Sequence, residues 1–145
     1  WVANGTTLAN LNPQSHTFTS VFVDENDKIY ATAQNSGFLG IWTGRPTNLS
    51  TEMSNLSNPT SVVVTSSGSL YIAMQNANEK VVKRFDNSSY SVVVMNVTGL
   101  CYSLFVDHSN TLYCSLEEKH QVVKKQLDDD VTHNVTIAAG SENPG

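Results

Sequence analysis

The sequence predicts an all-β fold, assembled from repeated four-stranded antiparallel sheets, on three observations. One phrase recurs three times along the 145 residues, runs of β-branched and aromatic residues alternate with short polar turns, and nothing long enough to be a helix intervenes. The recurring phrase is Ser20-Val-Phe-Val-Asp24 leading to Lys28-Ile-Tyr30, then Ser61-Val-Val-Val-Thr65 leading to Ser69-Leu-Tyr71, then Ser103-Leu-Phe-Val-Asp107 leading to Thr111-Leu-Tyr113. Its tyrosines lie 41 and 42 residues apart. Each copy reads as a β-hairpin, because a strand-forming run meets a turn of Glu25-Asn26-Asp27, Ser66-Ser67-Gly68 or His108-Ser109-Asn110 and resumes as a second strand.

A third strand follows as Gly37 to Trp42, Glu79 to Phe85 and His120 to Leu127. A fourth reads as Tyr90 to Met95 and Asn134 to Ala138, with Thr6 to Ala9 as its counterpart at the front. Four short strands per period of this length is the signature of a β-propeller blade, whose sheet buries its faces against neighbouring blades. The units run over residues 15–56, 57–98 and 99–140, with an incomplete unit at each end. Pro13 and Pro59 fall where the chain crosses between units, as a residue without an amide donor should. Residues 51–56 and 117–120 could coil, but both are too short to stand as helices in water. At about three and a half blades the chain is short of the roughly four to eight that close a ring. An incomplete ring or an open array is therefore expected, with the missing edges supplied by further sequence or by another copy.

Composition narrows the function. Eight basic against thirteen acidic residues give a net charge of −5, and no basic run exceeds Lys124-Lys125, so a nucleic-acid backbone finds little to neutralise. No stretch has the roughly 18 to 20 apolar residues that cross a bilayer as a helix. Charged residues make up only 14%, so the polarity comes from Asn, Ser and Thr. Six triplets satisfy the Asn-x-Ser/Thr rule, at Asn4, Asn48, Asn55, Asn87, Asn96 and Asn134. With 15 Asn and 31 Ser plus Thr in the chain, chance supplies about three, so N-glycosylation on outer strands and connecting loops is expected.

Cys101 and Cys114 sit in the third hairpin. If residues 107–110 form its turn and the ladder has no bulge, Val106 faces Thr111 and Ser103 faces Cys114. Cys101 then lies diagonal to Cys114, slightly far for a bridge, and one bulge or a one-step register change would join them. An internal disulfide, two buried thiols and pairing elsewhere all remain open. Together with the glycan triplets, the cysteines lean towards an extracellular setting.

Asp24, Thr65 and Asp107 end the first strand of each hairpin, where a side-chain oxygen can accept hydrogen bonds from turn amides. Turn-fixing is the preferred reading over a calcium site, since Thr65 interrupts the carboxylates and there is no interleaved Asp/Asn/Gly loop. Tyr30, Tyr71 and Tyr113 read as packing residues between blades rather than as a ligand-binding ring. The histidines at 16, 108, 120 and 133 occur singly, with no zinc-hydrolase, thiol-redox or serine-hydrolase motif. No catalytic, cofactor-binding or metal-binding residues are assigned.

The series Asn58-Pro-Thr-Ser-Val-Val-Val-Thr65, Gly68-Ser-Leu-Tyr71-Ile-Ala73 and Glu79-Lys-Val-Val-Lys83 resembles the NHL-repeat family of β-propellers. So do Ser103 to Asp107, Asn110 to Tyr113, Lys119 to Val123 and the outer-strand phrase Val135 to Gly140. The family's Asp after the second strand is replaced by Gln34 and Gln75, and by Leu116 and Glu117 in the third unit. The resemblance implies a propeller whose relatives are mostly scaffolds presenting a face to proteins or RNA, with some secreted lyases among them. No catalytic set carries over, and fold alone does not transfer function. The expectation is a non-catalytic extracellular module without cofactors that binds a protein ligand or serves structurally. The alternative is a building block of a filament or coat, self-assembling through head-to-tail blade contacts, and a metal-dependent lyase or hydrolase stands behind both.

Overall fold

The computed structural model describes residues 16–43, 48–75, 80–84, 91–127 and 134–141. Three four-stranded antiparallel meanders follow one another along the chain. The first blade comprises β1 (Phe18–Val23), β2 (Ile29–Ala33), β3 (Phe38–Thr43) and β4 (Asn48–Met53). The second comprises β5 (Pro59–Val64), β6 (Leu70–Met74), β7 (Lys80–Arg84) and β8 (Ser91–Asn96). The third comprises β9 (Cys101–Val106), β10 (Thr111–Leu116), β11 (Gln121–Gln126) and β12 (Thr136–Ala139). Single 3-10 turns at Gln34–Ser36 and Glu117–Lys119 link second to third strands in blades one and three. β4 occupies part of the segment that sequence alone left without a strand, and the counterpart expected at residues 6–9 lies outside the described residues.

Blades stack through their first two strands. β5 packs on β1 and β2, and β9 packs on β5 and β6. Side chains alternate between faces of a pleated strand, so each blade offers one face to its predecessor and the other to its successor. Tyr30 and Leu39 of blade one meet Val62, Val64, Leu70 and Ile72 of blade two in one buried cluster. Val63, Tyr71, Ala73 and Met95 on the opposite face of blade two meet Leu104, Leu112 and Cys114 of blade three in another. β5 is consequently buried at all six residues.

Two glycines serve this geometry. Gly37 has φ +61°, and a Cβ there would fall 2.4 Å from the Leu56 carbonyl oxygen whose amide bonds back to Gly37. Gly40 leaves room for the buried Trp42 ring. The position matching Gly37 in blade three is His120, in the same left-handed conformation.

The first strand of every blade carries a bulge, at Thr19, Thr60 and Tyr102. Where the bulged residue is Thr, its hydroxyl reaches the next blade. Thr60 donates to the Cys101 carbonyl at 2.6 Å, and Thr19 to the Pro59 carbonyl at 3.4 Å. The neighbouring Ser61 hydroxyl accepts the Leu104 amide at 3.1 Å. Packing is thereby supplemented by hydrogen bonds that fix how far one blade slides on the next.

In the third hairpin the register differs from the simplest expectation. Asp107 and Thr111 close the turn with a backbone bond, so Val106 pairs with Leu112 and Ser103 with Ser115. Asn110, with φ +59°, adds the left-handed residue that a three-residue hairpin loop requires. The bulge at Tyr102 takes this one-residue shift back, so Cys101 lies opposite Leu116, where the bulge-free count also places it. Both cysteines face blade two with Cα atoms 5.6 Å apart, and they are joined as a disulfide.

Two outcomes follow. Replacing both cysteines by Ala should lower the unfolding free energy by about 3 kcal/mol, the chain-entropy value for a loop of this length, as read from urea unfolding of the oxidised protein. Thr60→Val should cost about 1 to 2 kcal/mol by stripping a buried carbonyl of its donor, whereas a cost near zero would remove the cross-blade bond from the account.

Candidate functional site

The three first-to-second-strand hairpins converge at one end of the stack. Their turns share a construction. The residue ending the first strand bonds through its amide to the carbonyl four residues on, in the pairs Asp24–Lys28, Thr65–Ser69 and Asp107–Thr111, at 3.0 Å each. The left-handed position is filled by Asp27, Gly68 and Asn110, residue types that tolerate it.

Side chains complete the turns. Asp24 Oδ1 accepts the Asn26 and Lys28 amides at 2.9 Å each, and Oδ2 accepts the Tyr30 hydroxyl at 3.2 Å. Asp107 repeats this with the Ser109 and Thr111 amides at 2.9 Å and the Tyr113 hydroxyl at 3.0 Å. At Thr65 a single oxygen accepts the Ser69 amide at 3.1 Å and shares a hydrogen bond with Ser67. The Thr111 amide, followed by the Tyr113 hydroxyl and Ser109 amide, holds the Asp107 carboxyl below the usual carboxylate range. That same carboxylate pushes the Tyr113 phenol up, and burial does so for Tyr71.

Tyr30 and Tyr71 are buried between blades, while Tyr113 on the last described blade is half-buried. Lys83 lies over the Tyr71 ring, 5.9 Å from its centroid. A side-chain hydrogen bond also joins blades one and two where Gln34 donates its amide to Gln75.

Between the turns lies an open cleft of about 510 Å³. Phe22, Val64 and Val106 form its floor, and Glu25, Ser67 and His108 stand on its rim. Such a cleft combines an apolar base with neutral and weakly acidic hydrogen-bonding groups. Among the described residues, no three His, Cys, Asp or Glu side chains come together as a metal-binding group.

The remaining sequence-derived residues lie elsewhere. Asn55, Asn96 and Asn134 are exposed, after β4, at the end of β8 and before β12 respectively. Asn48 opens β4, while Asn4, Asn87 and His133 lie outside the described residues. His16 packs on Phe38 and bonds the Ser36 hydroxyl at 2.7 Å. The bulged Thr19 and Thr60 escaped the sequence reading. Their signal was available in the recurrence of Thr-Ser before two of the three hairpins.

No protein-family model matches the chain, and no curated protein matches it. Solved β-propellers do. Virginiamycin B lyase from Staphylococcus aureus superposes with TM-score 0.69 at 12% identity, covering 92% of this chain and 45% of its own. A streptogramin B lyase gives TM-score 0.67 at 13% identity over 87% and 41%. The Cps50 (Swd1) propeller domain of Myceliophteria thermophila gives 0.63 at 17% identity over 90% and 41%. The fold is thus that of a β-propeller, and the chain spans less than half the length of each of these matches.

The carboxylate in the third turn predicts a pH response. Its folded-state pKa is lowered, so the stabilisation is complete above the unfolded value and is lost as pH falls through the folded one. Below about pH 4 the wild type should lose stability more steeply than Asp107→Asn, measured by thermal melts across pH. Parallel slopes would contradict it.

Proposed function

We propose that this chain is a non-catalytic, extracellular and N-glycosylated propeller module of NHL type, which holds a protein ligand at its hairpin end. The observation that carries this reading is the distribution of glycan acceptors. Asn48, Asn55, Asn96 and Asn134 all lie on or beside β4, β8 and β12, the last strand of each blade. These strands lie farthest in the sheet from the first strands, through which the blades stack. Sugars attached there leave the hairpin-end cleft and the stacking first strands bare.

Other features support the same reading. The Asp24 and Asp107 carboxylates are committed to turn amides and tyrosine hydroxyls, which suits positioning more than proton transfer. A disulfide persists best in an oxidising compartment. The cleft's apolar floor and its rim of hydroxyl, amide and carboxylate groups fit a peptide loop, and a net charge of −5 disfavours nucleic acid.

Glycan mapping tests the central point. Protein secreted from eukaryotic cells, treated with peptide N-glycosidase, should show Asn-to-Asp conversion at two or more of Asn55, Asn96 and Asn134 by mass spectrometry. Secreted protein with none of the three converted would overturn the extracellular glycoprotein reading.

A further inference from the structure

The two outermost blades expose apolar residues at the positions that the interior contacts bury. On the predecessor-facing side, Val62 of β5 and Leu104 of β9 are 3% and 8% exposed, while their counterpart Val21 in β1 is 67% exposed. Val64 is 8% exposed and its counterpart Val23 54%. On the successor-facing side, Val63 of β5 is 3% exposed and its counterpart Phe105 in β9 62%. These equivalences follow from register, since Val21–Ala31, Val62–Ile72 and Leu104–Cys114 pair alike, as do Val63–Tyr71 and Phe105–Tyr113.

The strands bearing the exposed residues are those that the interior contacts use. Each interior contact seats the first strand of one blade on the first two strands of its predecessor. β1 has no predecessor among the described residues, and β9 with β10 no successor. The open faces carry the two halves of one contact: Phe18, Val21 and Val23 on one side, Tyr102, Phe105 and Tyr113 on the other. The outer part of the blade-one face is already closed, by Phe38 and Trp42 with His16 and Phe18 packed on their rings.

We propose that these faces dock on each other between two copies of the chain, β1 of each seating on β9 and β10 of its partner, so that six blades close one ring. This goes beyond the scaffold reading, adding a second copy on the blade faces to the ligand at the hairpin end. Two considerations choose that occupant. The docking continues an interface the chain already builds twice, so the second copy brings a matching half without any new surface. The chain also spans 41% and 45% of two of the lyase propellers it superposes on, so two copies approach the length of one of them. Six blades fall within the range of roughly four to eight that close. Because the two faces differ, the contact is head-to-tail, and two such contacts related by a two-fold rotation complete the circle.

The test is the mass of the 145-residue chain in solution, by sedimentation and mass photometry, with and without face variants. The wild type should be a dimer. Val21→Lys and Phe105→Glu should each weaken it by at least about tenfold, as expected for charges placed at the centre of an apolar contact. Combining them in one chain should restore the dimer, since the two charges then oppose each other across both contacts. Circular dichroism of each variant verifies that the blades remain folded. A monomeric wild type would overturn the proposal and leave the faces to blades other than a second copy's, while leaving the glycan-based reading untouched. Open polymers would overturn the two-copy ring, and dimers indifferent to both charges would place the contact elsewhere.

Discussion

A four-stranded sheet with apolar side chains on both faces has to be covered twice, and the rest of this structure depends on that requirement. One blade cannot meet it alone, because burying one face leaves the other in water. The three first strands display the consequence in order. β5, enclosed by blades on both sides, is buried throughout, whereas β1 and β9 each combine buried or half-buried positions with exposed ones. The alternation of side chains is the same in all three, and what differs is the neighbour.

Packing alone would let one sheet slide on another, and two sets of polar contacts oppose this. The bulged threonines and Ser61 tie backbone groups of adjacent blades together where the stack begins. At the opposite end of the same strands, Asp24 and Asp107 fasten each hairpin turn to its own tyrosine. The Tyr30 ring packs against the following blade, so turn geometry and blade packing are coupled there through one side chain. The cleft at the hairpin end follows from both: its rim consists of the turns and its floor of the residues that precede them. Thr65 keeps the turn in the second blade with one oxygen in place of two, and Tyr71 is held there by burial.

The hairpins, their period and the third strands were legible in the sequence because β-branched runs, turn residues and a recurring Tyr repeat at nearly fixed spacing. β4 was not. Asn-Leu-Ser-Thr-Glu-Met has no apolar run and little alternation, and it forms a strand because β3 presents it with a ladder edge and blade two with a surface for Met53. The cysteine pairing was partly legible. The residue that the left-handed Asn110 adds and the bulge at Tyr102 offset each other, so Cys101 lies diagonal to Cys114 as a plain count from the turn gives, and what was hidden is the 5.6 Å approach of their Cα atoms. The site was partly legible: the oxygen-bearing residue at each strand end could be read as a turn-fixer, but its bond to the tyrosine six residues on needed coordinates.

If blade-on-blade burial is what stabilises this chain, protection must follow the number of neighbours a blade has. Residue-resolved amide hydrogen exchange on the monomeric protein, studied below the concentration at which copies associate, measures this directly. Exchange should be slowest in β5 and β6, with protection falling towards β1 on one side and β10 on the other. Uniform protection across the three blades, or slowest exchange in an end blade, would contradict it.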